Sequence, residues 1–157
     1  MKVAVLGGGI NGVMIAWELC KANHDVTLYE KNTLMKETSS NSTKLLHGGL
    51  RYLENYEFGL VREALKDRAW WIKSAPHLAK PIKIFIPIYK QSRRPAWLYE
   101  LGLYLYNFFA GENSLGKHQK YMQADMKNLC TDLKDEGLLK GFSFFDGQMD
   151  DYKLGLW

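Results

Sequence analysis

Residues 2–30, KVAVLGGGINGVMIAWELCKANHDVTLYE, decide how this chain begins to fold. Lys2 to Gly7 is a short apolar run of the kind that a strand buried on both faces presents. It turns into Gly7-Gly8-Gly9. Beyond the turn, Ile10, Val13, Met14, Trp17 and Cys20 or Lys21 recur at helical spacing and predict a helix over residues 10–22. Asn23 and His24 close that helix, and Asp25 to Glu30 reads as a second strand. The unit is βαβ, so its strands are expected parallel, with a right-handed connection.

Gly7-x-Gly9-x-x-Gly12 falls between a strand and a helix, where a GxGxxG run has physical meaning. Gly7 allows the tight turn, Gly9 presents no side chain to a pyrophosphate, and Gly12 lets the helix approach the sheet. The helix N-terminus offers free N–H groups and partial positive charge to phosphates. Glu30 ends the second strand, where a carboxylate accepts from ribose hydroxyls. Together these imply dinucleotide binding. An acidic residue here argues against a 2′-phosphate but does not separate NAD from FAD.

From Lys31 to Gly49 the composition shifts to Thr, Ser, Asn and Gly and predicts a long loop with at most a helical turn. A helix follows over about 57–75, with Phe58, Val61, Leu65, Ala69 and Ile72 on one stripe and charged residues opposite. Trp70 and Trp71 are expected in its core-facing surface. Residues 82–88 alternate and predict a strand, which Pro87 places at a sheet edge. Residues 96–110 are apolar nearly all round. As a helix they span about 22 Å, short of the roughly 30 Å hydrocarbon core. A buried helix is one reading; a helix lying in a membrane interface, with Arg93 and Arg94 near the headgroups, is the other. A polar loop to Lys120, a helix over 122–134, and a strand at Phe142–Phe145 running into an Asp146-Gly147 turn complete the pattern. Asp150 or Asp151 would cap a helix starting near Tyr152.

The whole chain has 157 residues, 46% hydrophobic and 24% charged, with net charge +4. Those values suit a globular protein, and with no run of Lys and Arg beyond a pair no nucleic-acid partner is expected. Cys20 and Cys130 make no metal-ligand spacing, so no metal is expected, and Cys20 reads as a buried thiol. The chain enters a strand at once, without a basic flank or cleavage site. A cytoplasmic location is therefore expected.

Residues 38–54, TSSNSTKLLHGGLRYLE, are a hydroxyl-rich loop carrying a cation, a histidine and a Gly-Gly pair. Such a loop could lie along a pyrophosphate and beneath a flat ring, or be an ordinary capped surface loop. The run from Thr38 to Phe58, together with Leu60–Ala64, Ala75–Leu78, Arg94–Trp97 and Asp146–Asp151, resembles the signature of FAD-dependent glycerol-3-phosphate dehydrogenases and their oxidase relatives. The resemblance implies an α/β fold: a Rossmann-like FAD-binding βαβ unit of the glutathione-reductase/D-amino-acid-oxidase type, with the start of a substrate domain, truncated. Domain bounds on that basis are 1–80, 81–150, and a cut-off helix over 151–157.

The same resemblance implies oxidation of sn-glycerol 3-phosphate to dihydroxyacetone phosphate, with electrons passed on to a membrane quinone, or to dioxygen in the oxidases. It places Gly7, Gly9, Asn11 and Gly12 on the pyrophosphate and Glu30 on the ribose. Thr38, Ser39, Ser40, Lys44, Leu45, His47, Gly48 and Gly49 would line the FAD. Arg51 and Tyr52 would face the substrate phosphate, where a planar guanidinium suits a dianion. Two roles stay open for His47, a catalytic base or a hydrogen-bonded ring packed near the isoalloxazine, and Tyr52 could equally be a packing residue. A peripheral contact on the cytoplasmic side of the inner membrane and a homodimer of the full-length enzyme belong to the same expectation. Family members are several times longer, so a fragment is expected that binds FAD weakly and does not turn over alone. The competing functions are a relative acting on amino acids, a non-catalytic remnant, and an NAD-dependent dehydrogenase.

Overall fold

The computed structural model describes all residues from Met1 to Trp157. Strand β1 (Lys2–Leu6), helix α1 (Ile10–Lys21) and strand β2 (Asp25–Tyr29) form the opening unit, close to the bounds that periodicity predicts. The two strands pair in parallel, from Lys2 opposite Asp25 to Leu6 opposite Tyr29. They make a two-stranded sheet of their own, and of the strand and helix residues here only Val5 is buried. The expectation of a strand buried on both faces does not hold, because one neighbour and one covering helix shield only one edge and one face. Leu6 and Trp17 are exposed for that reason, and so is Cys20, which was expected inside.

The serine-rich segment has a 3₁₀ turn at Thr38–Ser40, the short strand β3 (Leu45–Leu46) and a second 3₁₀ turn at Leu50–Asn55. Helix α2 (Phe58–Ser74) and strand β4 (Ala79–Tyr89) come next. Helix α3 (Ala96–Ala110), strand β5 (Gln119–Met122), the short helix α4 (Gln123–Leu129), strand β6 (Leu138–Met149) and helix α5 (Asp151–Leu156) complete the chain. The second sheet is antiparallel: β6 pairs β4 along one side and β3 and β5 along the other. β4 is thus an edge strand, as Pro87 suggests. Pro81 and Pro87 have the same parity, so both missing N–H donors fall on one side of the strand, and an edge has a side that needs none.

The core lies between this sheet and the pair α2 and α3. Val61, Leu65, Leu103, Tyr106 and Ala110 from the helices meet Ile88, Phe142 and Phe144 from the sheet. Three expectations fail here. Asp146-Gly147 is no turn; β6 runs straight through it, and Asp146 is buried against α2 and α3. Arg68 does not lie with the exposed charges of α2 but on the stripe with Val61 and Leu65, 2% exposed. Trp70 is exposed and Trp71 half-buried, the two rings stacking edge to face rather than entering the core.

Helix α3 is neither fully buried nor free. Leu103, Tyr106 and Ala110 enter the core, whereas Trp97 (63%), Leu101 (45%), Tyr104 (62%) and Phe108 (67%) form an exposed stripe at helical spacing. No helix is long and apolar enough to cross a membrane.

Candidate cofactor and substrate site

The tip of β1 and the mouth of α1 bring one group of residues together. Gly7 has φ +97°, and its amide donates to the Tyr29 carbonyl at 2.8 Å, tying the turn to the end of β2. The helix that follows cannot retreat: a Cβ on Gly12 would lie 1.8 Å from the Gly7 carbonyl oxygen. At Gly9 the nearest atom to an added Cβ is the Ser39 hydroxyl, at 3.0 Å, so the mouth is closed by no apolar side chain. The Ile10 amide donates to Ser39 Oγ at 2.9 Å. The amides of Gly9, Asn11 and Gly12 find no acceptor within the chain. Three unpartnered N–H groups at a helix N-terminus, beside a hydroxyl and without a blocking side chain, make an anion cradle.

Glu30 stands beside it. Its Oε2 accepts from the Gly8 amide at 2.7 Å and its Oε1 from the Asn32 amide at 3.0 Å. These donors, Asn32 foremost and then Gly8, hold the carboxyl below the usual carboxylate range. A carboxylate has about four lone-pair sites. Two are used here, leaving room for a pair of ribose hydroxyls.

A carboxyl depressed in the folded chain contributes stability above its unfolded value, about 4.3 for Glu, and that contribution is lost as pH falls through the lower folded value. Glu30→Gln can satisfy only one of the two amides. The variant is expected to bind a dinucleotide roughly tenfold more weakly at neutral pH. It is also expected to show a smaller fall in thermal midpoint below the ordinary carboxylate range than the parent, with Asp151 still contributing its own share. Melting curves between pH 3 and pH 7 check this; superimposable curves for parent and variant would refute it.

The remaining loop residues go elsewhere. Thr38 lies in the 3₁₀ turn, and the Ser40 hydroxyl donates to the Lys36 carbonyl. Lys44 Nζ meets Asp151 Oδ1 at 2.7 Å, and the Ser42 hydroxyl donates to Asp151 Oδ2 at 2.7 Å. Burial of Asp151 opposes its ionisation, but the bonds from Lys44 and Ser42 outweigh that and hold its carboxyl low. This latch fastens the serine loop to α5, and it occupies the ammonium expected on the cofactor. Asp150 caps α5, its side chain accepting from the Lys153 amide.

Leu45 is paired to Gln148 in the β3–β6 ladder. His47 is exposed and makes no hydrogen bond, while Gly48 and Gly49 are buried. Arg51 is exposed and lines a largely apolar cavity of about 490 Å³ between the second 3₁₀ turn and α3, with Glu54, Arg94 and Trp97. Tyr52 lies over Gly49 and packs on the core cluster. The glycine turn, Glu30 and Ser39 therefore converge, whereas Lys44, His47, Arg51 and Tyr52 do not join them. Sequence reasoning missed Tyr106, which with Asp146 accepts from the Gly48 amide, and Arg68, which donates to both of them. The signal for Arg68 was its place on the stripe of Val61 and Leu65.

Comparison with known proteins gives a concordant result. A family model described as FAD dependent oxidoreductase matches residues 2–157. A glycerol-3-phosphate dehydrogenase of Pseudomonas tolaasii is 46% identical over 97% of this chain and 28% of its own length. A D-erythritol 1-phosphate dehydrogenase of Brucella abortus is 44% identical over 96% of this chain and 29% of its own. Among solved structures, a glycerol-3-phosphate dehydrogenase from Bacillus halodurans complexed with FAD superposes with a TM-score of 0.66 at 24% identity, over 99% of this chain and 23% of that one. The chain thus spans under a third of the length of these relatives.

Proposed function

The chain belongs to the FAD dependent oxidoreductase family, and from that premise we propose that it holds FAD in an enzyme that oxidises sn-glycerol 3-phosphate to dihydroxyacetone phosphate. The observation that carries the reading is the set of unpartnered Gly9, Asn11 and Gly12 amides at the mouth of α1. A diphosphate would accept from them, with Ser39 Oγ turning from the Ile10 amide to donate. Glu30 would accept from the ribose. When bound, FAD supplies the two-electron acceptor for the alcohol carbon. Arg51 would offer its guanidinium to the substrate phosphate from the turn after Gly49, and Tyr52 would keep that turn packed.

The test uses this chain for the cofactor and a protein containing it for the reaction. FAD dialysed against the chain should accumulate on the protein side, read from the flavin band at about 450 nm. Glycerol 3-phosphate should then drive dye reduction in the longer protein, with Arg51→Ala raising KM more than tenfold. Binding of NAD in place of FAD would overturn the cofactor assignment. The Brucella abortus relative favours a second substrate of the same class, so D-erythritol 1-phosphate belongs in the same assay. A higher kcat/KM for it would reassign the substrate and leave the chemistry intact.

A peripheral membrane contact is supported by the exposed stripe Trp97, Leu101, Tyr104 and Phe108, with exposed Arg93 just before α3, and a quinone acceptor would require such a contact. Sedimentation with anionic vesicles should pull down the parent, while a Trp97→Ala/Phe108→Ala variant should stay largely in the supernatant. Equal sedimentation of the two would remove the stripe from consideration.

A further inference from the structure

Four segments of the chain meet at one buried oxygen. Asp146 Oδ1, on β6, accepts from the Gly48 amide at 3.1 Å, Arg68 Nη1 at 3.1 Å, the Tyr106 hydroxyl at 3.1 Å and the Gly147 amide at 3.2 Å. Tyr106 Oη, on α3, also accepts from the Gly48 amide at 2.9 Å and from Arg68 Nη1 at 3.2 Å. Arg68, on α2, further donates to the Phe145 and Asn113 carbonyls. Burial pushes the Tyr106 hydroxyl well up, and the neighbouring Asp146 carboxylate adds to the rise, so the phenol keeps its proton and remains the donor to Asp146.

A buried ion pair is a poor way to gain stability, since apolar residues of similar volume often do as well or better. This one carries a visible cost, because Arg68 Nε is buried with no partner. What an apolar pair could not do is accept from the Gly48 amide. That glycine is pressed so close that an added Cβ would lie 2.3 Å from both Leu65 Cδ2 and Tyr106 Oη. On its N-terminal side, Leu46 is fixed opposite Gly147 in the ladder. On its C-terminal side, Gly49 adopts φ +75° and its carbonyl accepts from the Tyr52 amide at 2.8 Å, opening the 3₁₀ turn that carries Arg51.

We propose that Asp146, held by Arg68 and Tyr106, is a positioning residue that sets where the His47–Tyr52 turn points its side chains. The ladder fixes the chain before His47 and the carboxylate fixes it after, so the exposed His47 ring and Arg51 guanidinium take their directions from a group buried beneath them. The consequence for substrate binding rests on the placement of Arg51 given under Proposed function; the clamp itself does not.

The test compares two charge-neutral double variants, Arg68→Met/Asp146→Asn and Arg68→Met/Asp146→Leu. Both remove the buried charges and leave Tyr106 Oη in place, and only the first keeps a second acceptor for Gly48 at position 146. Without FAD, hydrogen exchange across residues 47–52 should be about tenfold faster in the Leu double than in the Asn double, with exchange in β1 and α1 alike in both. In a protein containing this chain, the Leu double should raise KM for the polyol phosphate about tenfold while kcat changes less. Equal exchange in the two doubles overturns the proposal. Faster exchange with an unchanged KM keeps the clamp and refutes the substrate role of Arg51. Should either double fail to fold, Tyr106→Phe answers the question without touching a charge, since it leaves Asp146 as the one acceptor for Gly48: exchange at residues 47–52 close to the parent's supports the clamp, and exchange about tenfold or more above it places the hold on Tyr106 and rejects it.

Discussion

Gly12→Ala is expected to cost the chain its opening βαβ unit, whereas Gly9→Ala should leave the fold intact and remove only cofactor binding. The two glycines belong to the same motif but face different neighbours. A Cβ on Gly12 would lie 1.8 Å from the Gly7 carbonyl oxygen and 3.0 Å from its carbon. Both are backbone atoms, and Gly7 is tied to Tyr29 by its own amide, so relief requires α1 to lift from β1. Overpacking against movable side chains costs about 1–3 kcal/mol, and against fixed backbone the cost should reach the top of that range or exceed it. In a unit where Val5 is the one buried strand or helix residue, little opposes that loss. At Gly9 an added Cβ would meet only Ser39 Oγ at 3.0 Å, a hydroxyl that can rotate away. The same methyl would stand where a diphosphate must approach the Gly9, Asn11 and Gly12 amides. Far-UV circular dichroism melts should therefore separate Gly12→Ala from the parent and superimpose Gly9→Ala on it. FAD titration should show both variants weakened by about a hundredfold or more. Parental FAD affinity in Gly12→Ala would contradict the close approach of α1 to the turn.

That contrast marks how far the sequence could be read. The glycine turn and Glu30 were legible because their chemistry is local: a strand, three glycines at fixed spacing, and a carboxylate closing the next strand. The bounds of α2 followed from periodicity, and those of α3 from a stretch apolar nearly all round. What failed was whatever depended on groups distant in the chain. Asp146-Gly147 carries a strong local turn signal, but Asp146 is held by Arg68 and Tyr106, which lie 78 and 40 positions away. Gly147 stays in the strand with Leu46 pressed against it. The charge of Arg68 predicts solvent, its position on the α2 stripe predicts the interior, and periodicity prevails over residue type. Lys44 and Asp151 illustrate the same limit. A loop cation beside a cofactor motif invites a phosphate, and only the three-dimensional path of α5 shows that a carboxylate reaches it first.

Arg68→Met alone is expected to destabilise the second sheet and its helices by about 3–5 kcal/mol, the usual cost of removing one partner from a buried pair. Asp146 would keep its donors from Gly48, Tyr106 and Gly147 but lose the only cation beside it, with its side chain 3% exposed. Methionine fills most of the volume, so the loss reports charge rather than a cavity. Adding Asp146→Asn removes the orphaned charge and should restore most of the stability. It could reach or pass the parental value, because the wild-type pair leaves Arg68 Nε without a partner. Urea unfolding followed by tryptophan fluorescence gives the comparison, provided the m-value is unchanged across the three proteins. A single variant as stable as the parent would show that the pair contributes no electrostatic compensation. A double variant no better than the single would place the loss in packing. The expected order, with the single variant low and the double near the parent, separates the part of this cluster that holds the fold together from the part that aims the turn above it.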